Sequence, residues 1–289
     1  MSTAMTADGQ PLDYRVHGPA GRTPILTVHG LVSSTQHWRA FTPHFATARP
    51  VIGWDFRGHG GQPPPIDRGT VGVAPFAADA HAVLRAAGQG PAIVTALSFG
   101  VQVALELWRA HRDDVRALVL ICGTAGRPLD RLSPSASLRT TATSLLRALG
   151  ASGAIARPLL AFMRSSLGRR LACELAYASG GARRDACPRD VLDDLFLHVG
   201  GLDPRLIAAV TASYLEHDAF DVLPTITVPT LLIAGDRDEL TPVATAERMR
   251  DAIPNSQLVV FPGHSHLVQV EDPVGVHAAI DRFLATHAL

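Results

Sequence analysis

The sequence predicts an α/β protein with a mainly parallel sheet flanked by helices and interrupted by a helical insertion. Three observations carry that prediction. Short apolar runs recur along the chain with helix-like stretches between them, the pattern of βαβ units. The 289 residues are 47% hydrophobic, enough to bury one large α/β domain or two small ones. Between about Arg127 and Pro224 the alternation stops, and no buried-strand run appears until Ile226.

Taken in order, Leu12–His17 alternates like an edge strand. Ile25–His29, Val51–Asp55, Ile93–Leu97, Val115–Cys122, Thr230–Ala234 and Gln257–Phe261 read as buried strands bounded by Pro, Gly or charge. Helices fit Thr35–Ala46, Ala74–Ala87, Phe99–His111, Pro242–Ala252 and Asp272–Ala288. The Arg127–Pro224 stretch is rich in helix formers and Arg. Turn clusters fall at Ser133-Pro134-Ser135, Ser179-Gly180-Gly181 and Gly200-Gly201. A structureless loop of that length is improbable in a compact domain, so 127–224 reads as a helical cap over the sheet's carboxyl edge. Residues 1–126 and 225–289 form the core domain. Apolar cap residues such as Leu159, Leu160, Phe162, Met163 and Phe196 are candidates for lining a pocket.

Composition excludes several chemistries. Formal net charge is zero, which argues against nucleic acid and anionic membrane surfaces as partners. All 26 basic residues are Arg, so no lysine Schiff base or lysine general base operates. Cys122, Cys173 and Cys187 form neither an even disulfide framework nor a metal-ligand spacing, and Cys122 reads as a small buried hydrophobe. The thirteen histidines include no His-x-x-x-His pair, only His264-x-His266, so no metal and no cofactor is expected. The N-terminus lacks a signal pattern and no run reaches membrane-spanning length, so the expectation is a cytoplasmic monomer or homodimer.

The chemistry centres on Ser98. The string Ile93-Val94-Thr95-Ala96-Leu97-Ser98-Phe99-Gly100 is an apolar run meeting a small-x-Ser-x-Gly turn ahead of a helix. Such a turn forces a serine into a sharp strand-to-helix elbow with its hydroxyl at the sheet's edge. Serine needs a base to take its proton and a carboxylate to orient that base. Two later post-strand segments offer them: Gly235-Asp236-Arg237-Asp238-Glu239-Leu240-Thr241-Pro242, and Pro262-Gly263-His264-Ser265-His266 with Glu271 and Pro273 beyond.

With His29-Gly30, Ser33-Ser34 and Asp55-Phe56-Arg57-Gly58-His59-Gly60, these landmarks make the chain resemble the α/β-hydrolase superfamily, in its capped, esterase-like branch. The resemblance spans nearly the whole length apart from the cap. It implies Ser98, Asp238 and His266 as catalytic residues. Gly235, Asp238 and Pro242 match the family's Gly-x-x-Asp-x-x-x-Pro turn, which leaves Asp236 as the alternative acid. His266 precedes the apolar stretch, Glu and Pro that follow the family's base, with His264 the runner-up. It further implies an oxyanion hole from the N–H groups of Phe99 and Leu31, with His29 bracing the Leu31 loop. The Asp55–Gly60 turn and Trp38 read as structural, and His111, His198 and His217 as solvated or capping. Epoxide hydrolases and haloalkane dehalogenases need an aspartate where Ser98 stands. The expected activity is hydrolysis of a small to medium apolar carboxylic ester, thioester or lactone through an acyl-enzyme. Alternatives on the same fold are C–C bond hydrolysis, acyl transfer or cyclisation in natural-product synthesis, and a non-catalytic ligand binder.

Overall fold

Eight strands form the sheet in this computed structural model, which describes residues 1–128 and 156–289 together with 141, 144, 145 and 148. They are β1 (Ser2–Met5), β2 (Pro11–His17), β3 (Ile25–Val28), β4 (Val51–Trp54), β5 (Ala92–Leu97), β6 (Val115–Ile121), β7 (Thr230–Gly235) and β8 (Ser256–Phe261). Their order is β1-β2-β4-β3-β5-β6-β7-β8. β1 and β2 pair antiparallel, β2 joins β4 antiparallel, and every later pairing is parallel.

The central runs are apolar throughout because both faces are covered. On β3 and β6, Leu26, Val28, Leu118 and Leu120 pack into one cluster. Ile25, Ala117, Val119 and Ile121, their alternating neighbours, pack into the other. The first face is closed by α2 (Val73–Ala87), α3 (Phe99–His111) and α8 (Val243–Ala252), through residues such as Phe76, Val83, Leu107 and Met249. α1 (Phe41–Phe45) and α10 (Pro273–Thr286) close the second with Phe41, Phe45, Ile280 and Phe283. Gly88 ends α2 in the left-handed conformation (φ 64°), its N–H reaching Leu84 O, as a helix C-cap glycine does.

Local structure departs from the sequence expectation at four places. β1 has no apolar pattern of its own: only Ala4 of its four residues is buried, and pairing with β2 makes it a strand. The helix expected over Thr35–Ala46 breaks into a 3₁₀ turn at Thr35–Trp38 and then α1. Pro43 sits in the first turn of α1, where a missing N–H removes no intrahelical bond. β8 is the sheet's edge and half-exposed, not a buried strand. The last helix starts at Pro273, with Asp272 accepting from Gly275 N at 2.9 Å as its N-cap; α9 (Val268–Glu271) precedes it.

The described part of 127–224 carries α4 (Ala156–Met163), α5 (Ser166–Ala178), α6 (Arg189–Val199) and α7 (Pro204–Glu216), and no strand. The expected Ser133-Pro134-Ser135 turn lies outside the described residues. α7 docks on the core: Leu206 and Val210 join the first cluster, and Val73 N donates to Ser213 Oγ at 3.0 Å. α5 and α6 pack around Cys173, Cys187 and Leu192 with Leu267 from the loop after β8. Arg183 fastens that loop, its N–H donating to Glu271 Oε1 at 2.8 Å and its Nη1 to Gly263 O at 2.7 Å. Leu160 is buried, whereas Leu159 and Phe162 turn outwards. Among the described residues no single helix is long and apolar enough to cross a membrane.

One buried ion-pair network ties the N-terminal hairpin to the sheet's first face. Arg57 Nε donates to Asp79 Oδ2 at 2.7 Å and Nη2 bonds the other oxygen. The same guanidinium bonds Asp8 and Thr70. The Asp79 side chain is 0% exposed and that of Arg57 3%. Asp79→Ala would leave the guanidinium short of its buried counter-charge, so we expect about 3–5 kcal/mol lower unfolding free energy in urea titration. Asp8→Ala, at the half-exposed end, should cost markedly less.

Candidate active site

Ser98 stands where β5 turns into α3, in left-handed backbone (φ 53°, ψ −118°). A non-glycine residue adopts this conformation only where its surroundings enforce it. Two glycines allow the enforcement. A Cβ on Gly100 would lie 2.6 Å from Val28 O and 2.7 Å from His29 O, so only glycine lets α3 begin against the end of β3. A Cβ on Gly123, beyond β6, would meet Val101 Cγ2 at 2.3 Å and Ser98 O at 2.9 Å.

The loops after β7 and β8 bring Asp238 and His266 to this turn. Ser98 Oγ lies 2.9 Å from His266 Nε2, and His266 Nδ1 lies 2.8 Å from Asp238 Oδ2. The Asp238 side chain is 0% exposed. Its Oδ1 accepts from the N–H groups of Leu240 and Thr241, each at 2.9 Å, and its Oδ2 accepts from Thr241 Oγ1 at 2.6 Å. Burial opposes the charge, but the hydrogen bonds from His266 and Thr241 outweigh it and hold the carboxyl below its usual range. An ionised Asp238 can only accept, so Nδ1 carries the imidazole proton and Nε2 is free to accept from Ser98.

The alternatives stay out of this chain. Asp236 is exposed and accepts from Gly263 N at 2.6 Å, pinning the β8 turn. His264 Nδ1 bonds Pro262 O at 2.9 Å.

Two backbone N–H groups flank Ser98. Phe99 opens α3, so its N–H has no intrahelical partner. Leu31 follows Gly30, whose ideal Cβ would be 3.5 Å from Ser98 Cβ. Among the described residues neither N–H has an acceptor. His29 braces this loop, with Nδ1 on Gly30 O at 2.9 Å and Nε2 accepting from Phe56 N at 3.1 Å. Burial pushes its pKa down to about 3, so the ring is neutral.

Asp55 accepts from Thr35 N at 2.6 Å and Thr35 Oγ1 at 3.2 Å, while His59, also pushed down to about 3 by burial, bonds Arg57 O. Among the described residues neither is hydrogen-bonded to Ser98. Trp38 is buried edge-on against Phe41. Of the three histidines read as solvated or capping, two have partners of their own: His111 stacks on His81 at 3.7 Å, and His217 bonds Glu106 at 3.1 Å. His198 is half-buried beside His59, and burial depresses its pKa. It helps line a cleft of about 500 Å³ with Thr35, Trp54 and Asp55, a cleft whose walls do not include Ser98. Sequence reasoning missed the Arg183–Glu271 clasp on the His266 loop. Glu271 also accepts from Ser265 N at 2.8 Å and Ser265 Oγ at 2.5 Å, and only a Glu at fixed distance from the histidine hinted at this role.

A family model described as "Alpha/beta hydrolase family" matches residues 25–279. The chain belongs to this family. Among α/β hydrolases of known structure, an esterase from Thermogutta terrifontis superposes with a TM-score of 0.78 at 24% identity, covering 99% of this chain and 98% of that one. At that identity the likeness is one of fold. RutD of Caulobacter segnis, provisionally named a carbamate hydrolase, is 27% identical across 98% of both chains. Lipase LipV of Mycobacterium tuberculosis is 34% identical over 115 residues, 38% of this chain and 41% of that protein. These relatives make the chain an enzyme of the hydrolase class.

The Asp238 environment sets a pH dependence. Its folded pKa lies below the model-peptide value of 3.8. It therefore contributes stability above pH 3.8 that is lost as pH falls through the folded pKa. Asp238→Asn removes this contribution. Denaturant titrations should show a constant wild-type advantage from pH 7 to about pH 5, shrinking steadily below pH 4. An advantage that grew on acidification would overturn the ionised assignment.

Proposed function

We propose that this α/β hydrolase cleaves carboxylic esters of small to medium apolar acids by a serine mechanism, with Ser98, His266 and Asp238 as its triad. One observation carries the reading. An unbroken hydrogen-bonded chain runs from Ser98 Oγ through His266 to a buried carboxylate, beside two N–H groups without acceptors.

In this mechanism Ser98 Oγ attacks the ester carbonyl as His266 Nε2 takes its proton. Asp238 keeps Nδ1–H in place and stabilises the imidazolium that forms. The N–H groups of Phe99 and Leu31 point to where the carbonyl oxygen becomes negative, a stabilisation available without reorganisation. His266 then protonates the leaving alkoxide, and an acyl group remains on Oγ. A water deprotonated by His266 attacks that acyl group, and the acid departs. Helices α4–α7 act in this reading as the cap that decides chain length.

A fluorophosphonate probe should label Ser98 alone, read by peptide mapping, and Ser98→Ala should abolish labelling. His266→Ala should lower kcat for p-nitrophenyl esters by about 10⁴-fold or more, while His264→Ala retains most of the rate. Equal losses, or a label on another serine, would dismantle the triad.

A further inference from the structure

Cys122, expected to be a small buried hydrophobe, directly follows β6 in a demanding place. It is 2% exposed. Its backbone is left-handed (φ 45°), and its N–H donates to Ile233 O on β7 at 2.9 Å. The Cys122 Sγ, a carboxylate oxygen of Asp238 and a ring nitrogen of His266 all lie within 4.8 Å of one another.

Thiolate, imidazole and carboxylate together are a ligand set for zinc-like cations. Three atoms no more than 4.8 Å apart can all be reached from a point about 2.8 Å or less from each, against about 2.3 Å for Zn–S and 2.0 Å for Zn–N. Small side-chain shifts close that gap. An open cleft of about 750 Å³ abuts Asp238, its wall carrying Asp185, Asp236 and Glu239 among arginines.

We propose that Cys122, Asp238 and His266 form an inhibitory binding site for a divalent cation of the zinc and cadmium class. The inhibitory part rests on the triad reading above; the binding part does not. The proton balance explains the inhibition. The ion displaces the thiol proton, which leaves to solvent, and occupies His266 Nδ1. The ring proton moves from Nδ1 to Nε2, so the imidazole stays neutral. Nε2 then donates to Ser98 Oγ and cannot take its proton. The ion thus locks the wrong tautomer of the base.

Cadmium titration of the full-length protein reads the binding directly, through the ultraviolet thiolate-to-cadmium charge-transfer band. Wild type, Ser98→Ala and Cys173→Ala should all develop the band, and Cys122→Ala should not. Should Cys122→Ala fail to fold by circular dichroism, Cys122→Val serves in its place. In ester assays, zinc should inhibit wild type reversibly with EDTA, and the Cys122 variant should need at least about tenfold more zinc relative to its own metal-free rate. A band that survives in the Cys122 variant, no band in wild type, or equal zinc sensitivity overturns the proposal. Zinc held instead by His81, His111 and Asp114, whose ligand atoms also lie within 4.8 Å of one another, would leave the thiolate band absent and overturn it too. If no ester is turned over, the function proposed above fails while the cadmium band still decides this site.

Discussion

The left-handed backbone at Ser98 is the constraint on which the rest of the site depends. It projects the hydroxyl out of the sheet and leaves the Phe99 N–H free at the start of α3. Such a conformation costs of order 1–3 kcal/mol in a non-glycine residue and persists only if its surroundings over-determine it. Here two neighbouring strand ends do so. Ser98 N donates to Ile121 O on β6 at 2.9 Å, and Gly100 lets α3 abut the carbonyls of Val28 and His29. Enlarging either contact would move Ser98, the Phe99 N–H and the first turn of α3 together.

Around this turn the fold keeps charge scarce and local. His29 and His59 are buried and neutral, each serving as a backbone brace. Asp238 is the buried charge closest to Ser98 along the hydrogen-bonded chain, and its donors come from its own loop as well as from His266. An imidazolium formed beside such a carboxylate meets a preset counter-charge in a site of low dielectric. The second buried charge system, around Arg57, is kept for architecture. It joins the N-terminal hairpin, the turn after β4 and α2 through a single guanidinium.

What was legible in the sequence followed from local constraint. Strands covered on both faces must be apolar throughout, so Ile25–Val28, Ala92–Leu97 and Thr230–Gly235 announce themselves. A sharp strand-to-helix turn demands small residues at fixed offsets, so Ser98 stood out. Asp238 over Asp236, and His266 over His264, rested on the spacing of the flanking Gly, Glu and Pro. Features created by pairing between distant segments left no local trace. β1 is a strand because β2 lies beside it, and β8 is half-exposed because, among the described residues, it is the last strand of the sheet. Cys122 looks like any residue ending an apolar run, and its neighbours are brought there by β7 and by the loop after β8. Arg183 and Glu271, 88 residues apart, likewise meet only when α5 and α6 settle on the His266 loop.

The order of the strands along the chain also bears on when the Ser98 site can be assembled. Ser98 and its partner His266 are 168 residues apart, and the segment bearing His266 follows β8, the outermost strand. During synthesis the elbow, β3, β5 and α3 leave the ribosome long before β7 and β8 exist. A nascent chain that has folded its first half therefore displays Ser98 as an ordinary alcohol with no base and no carboxylate behind it. The chain of hydrogen bonds from Ser98 to Asp238 can close only when the final two strands zip onto β6. Under the proposed mechanism, a truncated or stalled chain would therefore carry Ser98 without its activating partners.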